Sequence, residues 1–121
     1  MEIFTFDRGE MAIYRFGSEN ALATRIASGV GEVQLSCLRI GAGGTLGAHA
    51  APGEQIFLVV AGEGWVSGPD GVPVRVSAGT AVRWDAREVH ASGSASGMTA
   101  IAAEGAALEI YAPLRGPGPG T

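Results

Sequence analysis

Lysine is missing from this chain. All eight basic residues are arginine, they stand singly, and against twelve acidic residues they leave a formal net charge of −4. A protein that grips nucleic acid by its phosphates needs a concentrated basic face, so nucleic acid is not an expected partner. Cysteine is nearly missing too. Cys37 is alone, which excludes an internal disulfide framework. It lies in the apolar pattern Val33-Gln34-Leu35-Ser36-Cys37-Leu38 and reads as a small buried hydrophobe. No apolar run approaches the ~20 residues of a membrane span. The start, Met1-Glu2-Ile3-Phe4-Thr5-Phe6-Asp7, lacks the basic head and apolar core of a secretory signal. The expected setting is the cytoplasm, with no membrane partner.

What the chain has in quantity is glycine, 20 of 121 residues, within a composition that is 46% hydrophobic and 17% charged. That balance suits a folded core, and so many glycines punctuate short segments rather than long helices. Strand patterns read over residues 2–6, 12–16, 32–40, 45–49, 55–60, 65–67, 72–76, 80–84, 89–92, 98–104 and 106–111, with residues 21–27 leaning to strand. Gly62-Glu63-Gly64 reads as a tight connection and Gly68-Pro69-Asp70-Gly71 as a hairpin turn. About ten short strands with turns every 8 to 12 residues point to an all-β sandwich or barrel. One domain is expected over residues 1–115, followed by a loose Gly/Pro tail at 116–121.

The only two histidines fall in two distinct stretches, Gly43 to Gly62 and Gly79 to Ser94. In the first, five residues separate Gly43 from His49; Ala51, Gln55 and Gly62 follow. In the second, Gly79 leads to Asp85, Arg87, His90 and Ser94. This pair resembles the two motifs of the cupin superfamily, G-x5-H-x-H-x3,4-E-x6-G and G-x5-P-x-G-x2-H-x3-N. Ala51 stands where a second histidine is usual and Gln55 where a glutamate is usual. Asp85, Arg87 and Ser94 replace the Pro, Gly and Asn of the second motif. The resemblance spans roughly residues 32–112 and implies a jelly-roll β-barrel, the double-stranded β-helix.

It also implies a divalent metal, Zn, Ni, Mn, Fe or Cu, on His49, Gln55 and His90. The other reading is a metal-free pocket in which the two imidazoles line a ligand site. Because strand side chains alternate, Gln55 shares the inward face with position 51, and Glu54 points away. His90 and Glu54 are the acid/base candidates. Phe57, Val59, Ser92 and Arg39 are candidate pocket walls for a small organic ligand, with Arg39 suited to a carboxylate if it faces inward. Trp84 and Trp65 belong either to the core or to the barrel mouth. Residues 56–60 are apolar on both faces, so their outer side needs cover from N-terminal strands or from a second subunit. A homodimer is expected. The function is either that of a metal-dependent, non-redox enzyme of isomerase or lyase type or that of a ligand-binding module without catalysis.

Overall fold

A computed structural model describes residues 1–7 and 11–111. The expected tail at 116–121 and the end of the expected domain at 115 lie outside the described residues. Ten strands follow one another: β1 (Glu2–Thr5), β2 (Met11–Ala12), β3 (Leu22–Ala23), β4 (Ala27–Ile40), β5 (Gly44–Ala50), β6 (Glu54–Ser67), β7 (Val74–Ser77), β8 (Thr80–Trp84), β9 (Val89–Ser94) and β10 (Met98–Ile110). The described residues contain one 3-10 turn, Arg15–Gly17, and no α-helix. No helix among them is long and apolar enough to cross a membrane.

Eight strands join in one sheet system, with the path β1-β8-β6-β10-β4 and with β5, β7 and β9 branching from it. All the pairings are antiparallel. β6 is the shared element. Its first part, Gln55–Leu58, lies between β8 and β10; its last part, from Trp65 on, lies between β7 and β9. The result is the double-stranded β-helix. β2 and β3 form a separate two-stranded hairpin.

The apolar run of β6 explains why it sits at the centre. Phe57, Val59 and Val66 point inward to Ile40, Val76, Val82, Trp84, Met98 and Ala100. Ile56 points outward into a second cluster with Phe4, Ala81 and Leu108, flanked by Phe6, Ile26, Leu58 and Ile110. Each such side chain contributes about 1.5–3 kcal/mol when fully buried. The chain's own N- and C-terminal segments therefore cover Ile56 and Leu58 on the outer face of β6, while Val60 on the same face is exposed.

Three expectations are corrected. Gly62-Glu63-Gly64 is not a turn but lies inside β6. The register against β10 skips Val60, and Gly62 has φ +79°. An extra residue beside a left-handed glycine bends a strand without reversing it, so β6 passes from one sheet to the other. Residues 12–16 are not a strand: pairing ends at Ala12, and the chain turns through Arg15–Gly17 with Phe16 at φ 62°. Cys37 is exposed, not buried. Cys37 alternates with Leu38 and Ile40, which pack on the core, so it lies on the solvent side of β4.

Candidate functional site

His49 and His90 are direct cross-strand partners on β5 and β9. Their ring centroids are 4.5 Å apart, with the planes tilted by 57°. A local irregularity makes this possible. Leu46 pairs with Ser92 and His49 with His90, so β5 spends three residues where β9 spends two. In a regular strand an odd spacing would put Leu46 and His49 on opposite faces. The bulge over Gly47 and Ala48 restores them to one face.

Both rings are oriented by carbonyls of the backbone. His49 Nδ1 lies 2.6 Å from the Gly47 oxygen, and His90 Nδ1 lies 3.0 Å from the Glu88 oxygen. A carbonyl oxygen only accepts, so each Nδ1 carries a proton and donates it. In a neutral ring with that orientation Nε2 carries the lone pair. His90 is buried, and burial is the main cause that holds it below the usual imidazole protonation range. The Glu88 bond works in the opposite direction, and neighbouring His49 adds to the depression. The neutral form is the one with a free Nε2.

Trp84 forms the wall behind His90. Its indole stacks on the imidazole at 4.1 Å and 16°, and it meets the edge of Phe57 at 5.7 Å. Its Nε1–H donates to the Ser67 carbonyl at 3.1 Å. Trp84 is thus both core and site. In register with it across the sheet come Gln55 on β6, Glu104 on β10 and Gln34 on β4. Residues directly opposite one another share a face, so this polar row turns to the same side as Trp84 and His90. Glu104 is half-buried, and its carboxylate accepts the Gly53 N–H at 3.2 Å. Beside the row opens a cavity of about 590 Å³, with Gln34, Gly53 and Glu104 in its wall.

A cupin-domain family model matches residues 37–103, more than half of the chain. The protein belongs to the cupin family. Solved structures agree on the fold. A cupin superfamily protein from Desulfitobacterium hafniense superposes with a TM-score of 0.56 at 15% identity, covering 65% of this chain and 74% of that one. A predicted oxalate decarboxylase from Thermotoga maritima gives 0.53 at 21% identity, over 64% and 65% of the two chains. The DMSP lyase DddQ from Ruegeria pomeroyi gives 0.58 at 19%, over 78% of this chain and 47% of that one. At such identities the likeness speaks for the fold alone. No curated protein matches the sequence.

In this cupin the motif residues separate into those that meet and those that do not. His49 and His90 face one another, and Gln55 stands opposite Trp84, whose ring stacks on His90. Ala51 is buried, a methyl group where the motif usually has a second imidazole. Glu54 is no pocket base. It pairs with Arg83 at 2.8 Å and accepts the Leu108 N–H at 2.9 Å. The Leu108 bond is the main cause of its lowered pKa, aided by Arg83 and opposed by burial. Phe57 and Val59 are packed in the inner core beneath the site and leave no surface for a ligand. Ser92 is buried opposite Leu46 and Val66. Arg39 is exposed and lines a different groove with Gly62, Met98 and Thr99. It alternates with Leu38 and Ile40, whose side chains pack against the core, so it turns outward. Trp65 is half-buried over Gly93, in the wall of a third groove.

Sequence reasoning missed Glu104. It lies outside both motifs, and only the register of β10 places it opposite Gln55. The signal within reach was its parity: Met98, Ala100, Ala102 and Glu104 alternate on one face of a strand that otherwise buries small apolar residues.

Proposed function

We propose that this cupin binds a small polar metabolite at the imidazole pair and does so with a divalent metal, Zn, Ni, Mn or Fe, held by His49, His90 and Gln55. One observation carries the reading: both Nδ1 atoms donate to backbone carbonyls, which leaves Nε2 of each facing ring as the nitrogen to meet a metal. Metal-bound histidines are oriented in this way, with the second ring nitrogen donating to a carbonyl or carboxylate. Among the described residues no group of three His, Cys, Asp or Glu side chains is gathered for a metal. The donor set is therefore two imidazole nitrogens and an amide oxygen. It fits an open site, with the remaining positions left to water and ligand, and not a closed structural one.

When bound, a metal supplies Lewis acidity that polarises a ligand carbonyl or hydroxyl. The chain's own groups do the rest. Trp84 fixes the His90 ring and keeps water from one face of it. Glu104 brings a negative charge to a row whose motif position, Gln55, is neutral. One of its oxygens holds Gly53, and the carboxylate can accept a proton from a bound hydroxyl or carbon acid. Proton movement beside a polarised carbonyl belongs to isomerase and lyase chemistry, and we favour that non-redox class.

The deciding measurement is metal content by elemental analysis of untagged protein, beside a His49→Ala/His90→Ala double variant. About one metal per chain, lost in the double variant with the fold retained, is the expected result. Protein that takes up none of the four metals overturns the reading. The methyl group of buried Ala51, where the motif usually has a second imidazole, favours the alternative, a metal-free binding module in which the Nε2 atoms accept hydrogen bonds from a hydroxylated ligand.

A related outcome concerns Glu104. Glu104→Gln keeps an acceptor for the Gly53 N–H but removes the charge. Metal affinity by calorimetric titration with zinc or nickel is expected to fall roughly 10-fold, the lower end of what groups around a metal's ligands contribute. The melting temperature should stay close to that of the parent. Unchanged affinity would remove Glu104 from the site.

A further inference from the structure

Trp65 lies on the far side of the sheet from the imidazoles. Val66 points into the core, so its neighbour Trp65 belongs to the outer face. There it stands between two cross-strand partners, Arg75 on β7 and Gly93 on β9. His90 and Ser92 are buried on the inner face, and Gly93, next in the alternation, falls on the outer one. A glycine at this point lets the indole lie down. A Cβ on Gly93 would stand 2.6 Å from three ring atoms at once, Cε2, Cζ2 and Nε1. One face of the indole therefore rests on the strand, and the other is left to the outside.

Beside the ring runs a groove of about 470 Å³, a volume typical of small-molecule sites. Pro73 and Ala95 extend its apolar wall, and Glu63, Arg75 and Ser96 supply polar groups. Glu63 and Arg75 are bonded at 2.7 Å, with side chains 48% and 81% exposed. So exposed an ion pair adds little to stability. It does leave a second carboxylate oxygen as an acceptor and further guanidinium N–H groups as donors. The indole N–H groups of the two tryptophans differ. Trp84 donates to the Ser67 carbonyl, whereas the Trp65 Nε1–H has no partner among the described residues.

We propose that this groove is a carbohydrate site that takes a neutral pyranose ring. The ligand class follows from the groups present. A pyranose has a flat face of C–H bonds and a rim of hydroxyls. The C–H face suits the negative π face of an indole. Neighbouring hydroxyls both donate and accept, which matches a carboxylate and a guanidinium held side by side. Charge narrows the class further. Glu63 and Arg75 cancel one another, so the groove offers no net charge to an ion. A carboxylate ligand would be repelled by Glu63, and an ammonium ligand by Arg75. A planar aromatic ligand would use the indole and leave Glu63, Arg75 and Ser96 idle.

This site is separate from the imidazole pair and needs no metal. Saturation-transfer NMR on the parent protein tests it. The probes are the methyl pyranosides of glucose, galactose and mannose, with lactose and maltose. At least one should bind with a Kd of about 1 mM or tighter, and saturation should pass most strongly to the C–H protons of one ring face. Trp65→Ala should weaken that ligand about 10-fold. Arg75→Ala, a change at an exposed side chain, should weaken it about 5-fold. If none of the probes binds at roughly ten times that concentration, the proposal is overturned. Binding that keeps its parental strength in either variant overturns it too, as does tighter binding of glucuronate or glucosamine than of the neutral sugars.

A second readout needs no variant and so guards against a Trp65→Ala chain that fails to fold. The chain has two tryptophans, and Trp84 is 1% exposed. Acrylamide therefore quenches the emission of Trp65. A sugar seated on the indole should shield it and lower the quenching constant of the parent protein. A constant that stays the same at saturating sugar overturns the proposal.

Discussion

Trp84→Ala is expected to cost about 3–5 kcal/mol of stability, the range for deleting a large aromatic from a packed core. Trp84 is 1% exposed and touches everything that matters on the inner face of the barrel. It fills space among Val82, Val59 and Met98, meets the Phe57 edge and lies against His90. The loss has two parts. The cavity forfeits dispersion contacts that water does not replace, and the buried Ser67 carbonyl loses the donor it has at 3.1 Å. Urea unfolding followed by fluorescence of the remaining Trp65 would measure the sum. Trp84→Phe separates the parts. It keeps much of the fill and loses the N–H, and should cost about 1–3 kcal/mol. Metal or ligand binding should weaken in both variants, because the imidazole is no longer held from behind. A Trp84→Ala cost below about 1 kcal/mol would mean that the core repacks around the gap.

Gly62→Ala is the second large effect. Gly62 closes the first histidine motif, and its backbone explains why glycine stands there. At φ +79° an L side chain is strained, and a Cβ would run into the Gly97 carbonyl and come to 3.0 Å from Met98 Cα. Both obstacles are main chain, so no rotamer change relieves them. The left-handed conformation costs roughly 1–2 kcal/mol and the overpacking roughly 1–3 kcal/mol more, about 2–5 in all. The strain falls where β6 changes sheets, so the variant should unfold at lower urea and lose part of its β6–β10 pairing. Protected amides at Ala100 and Ala102 would report that loss. A melting temperature equal to that of the parent would contradict the geometry.

The barrel was legible in the sequence because most turns carry a glycine or proline, the Asp85–Glu88 turn being an exception, and the strands between them alternate. The histidine pair was legible because spacing within two motifs fixes where each ring falls. Alternation also put Glu54 on the opposite face from Gln55, and the side chain is found there, bound to Arg83 and Leu108 N–H. What the sequence could not reveal depends on register between distant strands. The bulge at Gly47 and Ala48, which returns His49 to the inward face, has no composition signal of its own. Glu104 reaches the site only because β10 lies beside β6 with Glu104 opposite Gln55. Arg39 and Cys37 alternate as regularly as any core pattern, yet they lie on the uncovered side of a terminal strand. Periodicity says which residues share a face, and only topology says whether anything packs on it.

The place of β10 has a consequence for synthesis. Among the described residues β4 bonds to β10 alone, and the first part of β6 lies between β8 and β10. On the ribosome β4 and β6 emerge long before residue 98 does. Until the last strand arrives, the barrel cannot close and the apolar side chains of β6 have no finished interior to enter. Such long-range pairing slows folding and prolongs the exposure of sticky edges. The nascent protein is therefore most in need of chaperone shelter in the interval between the emergence of β6 and that of β10.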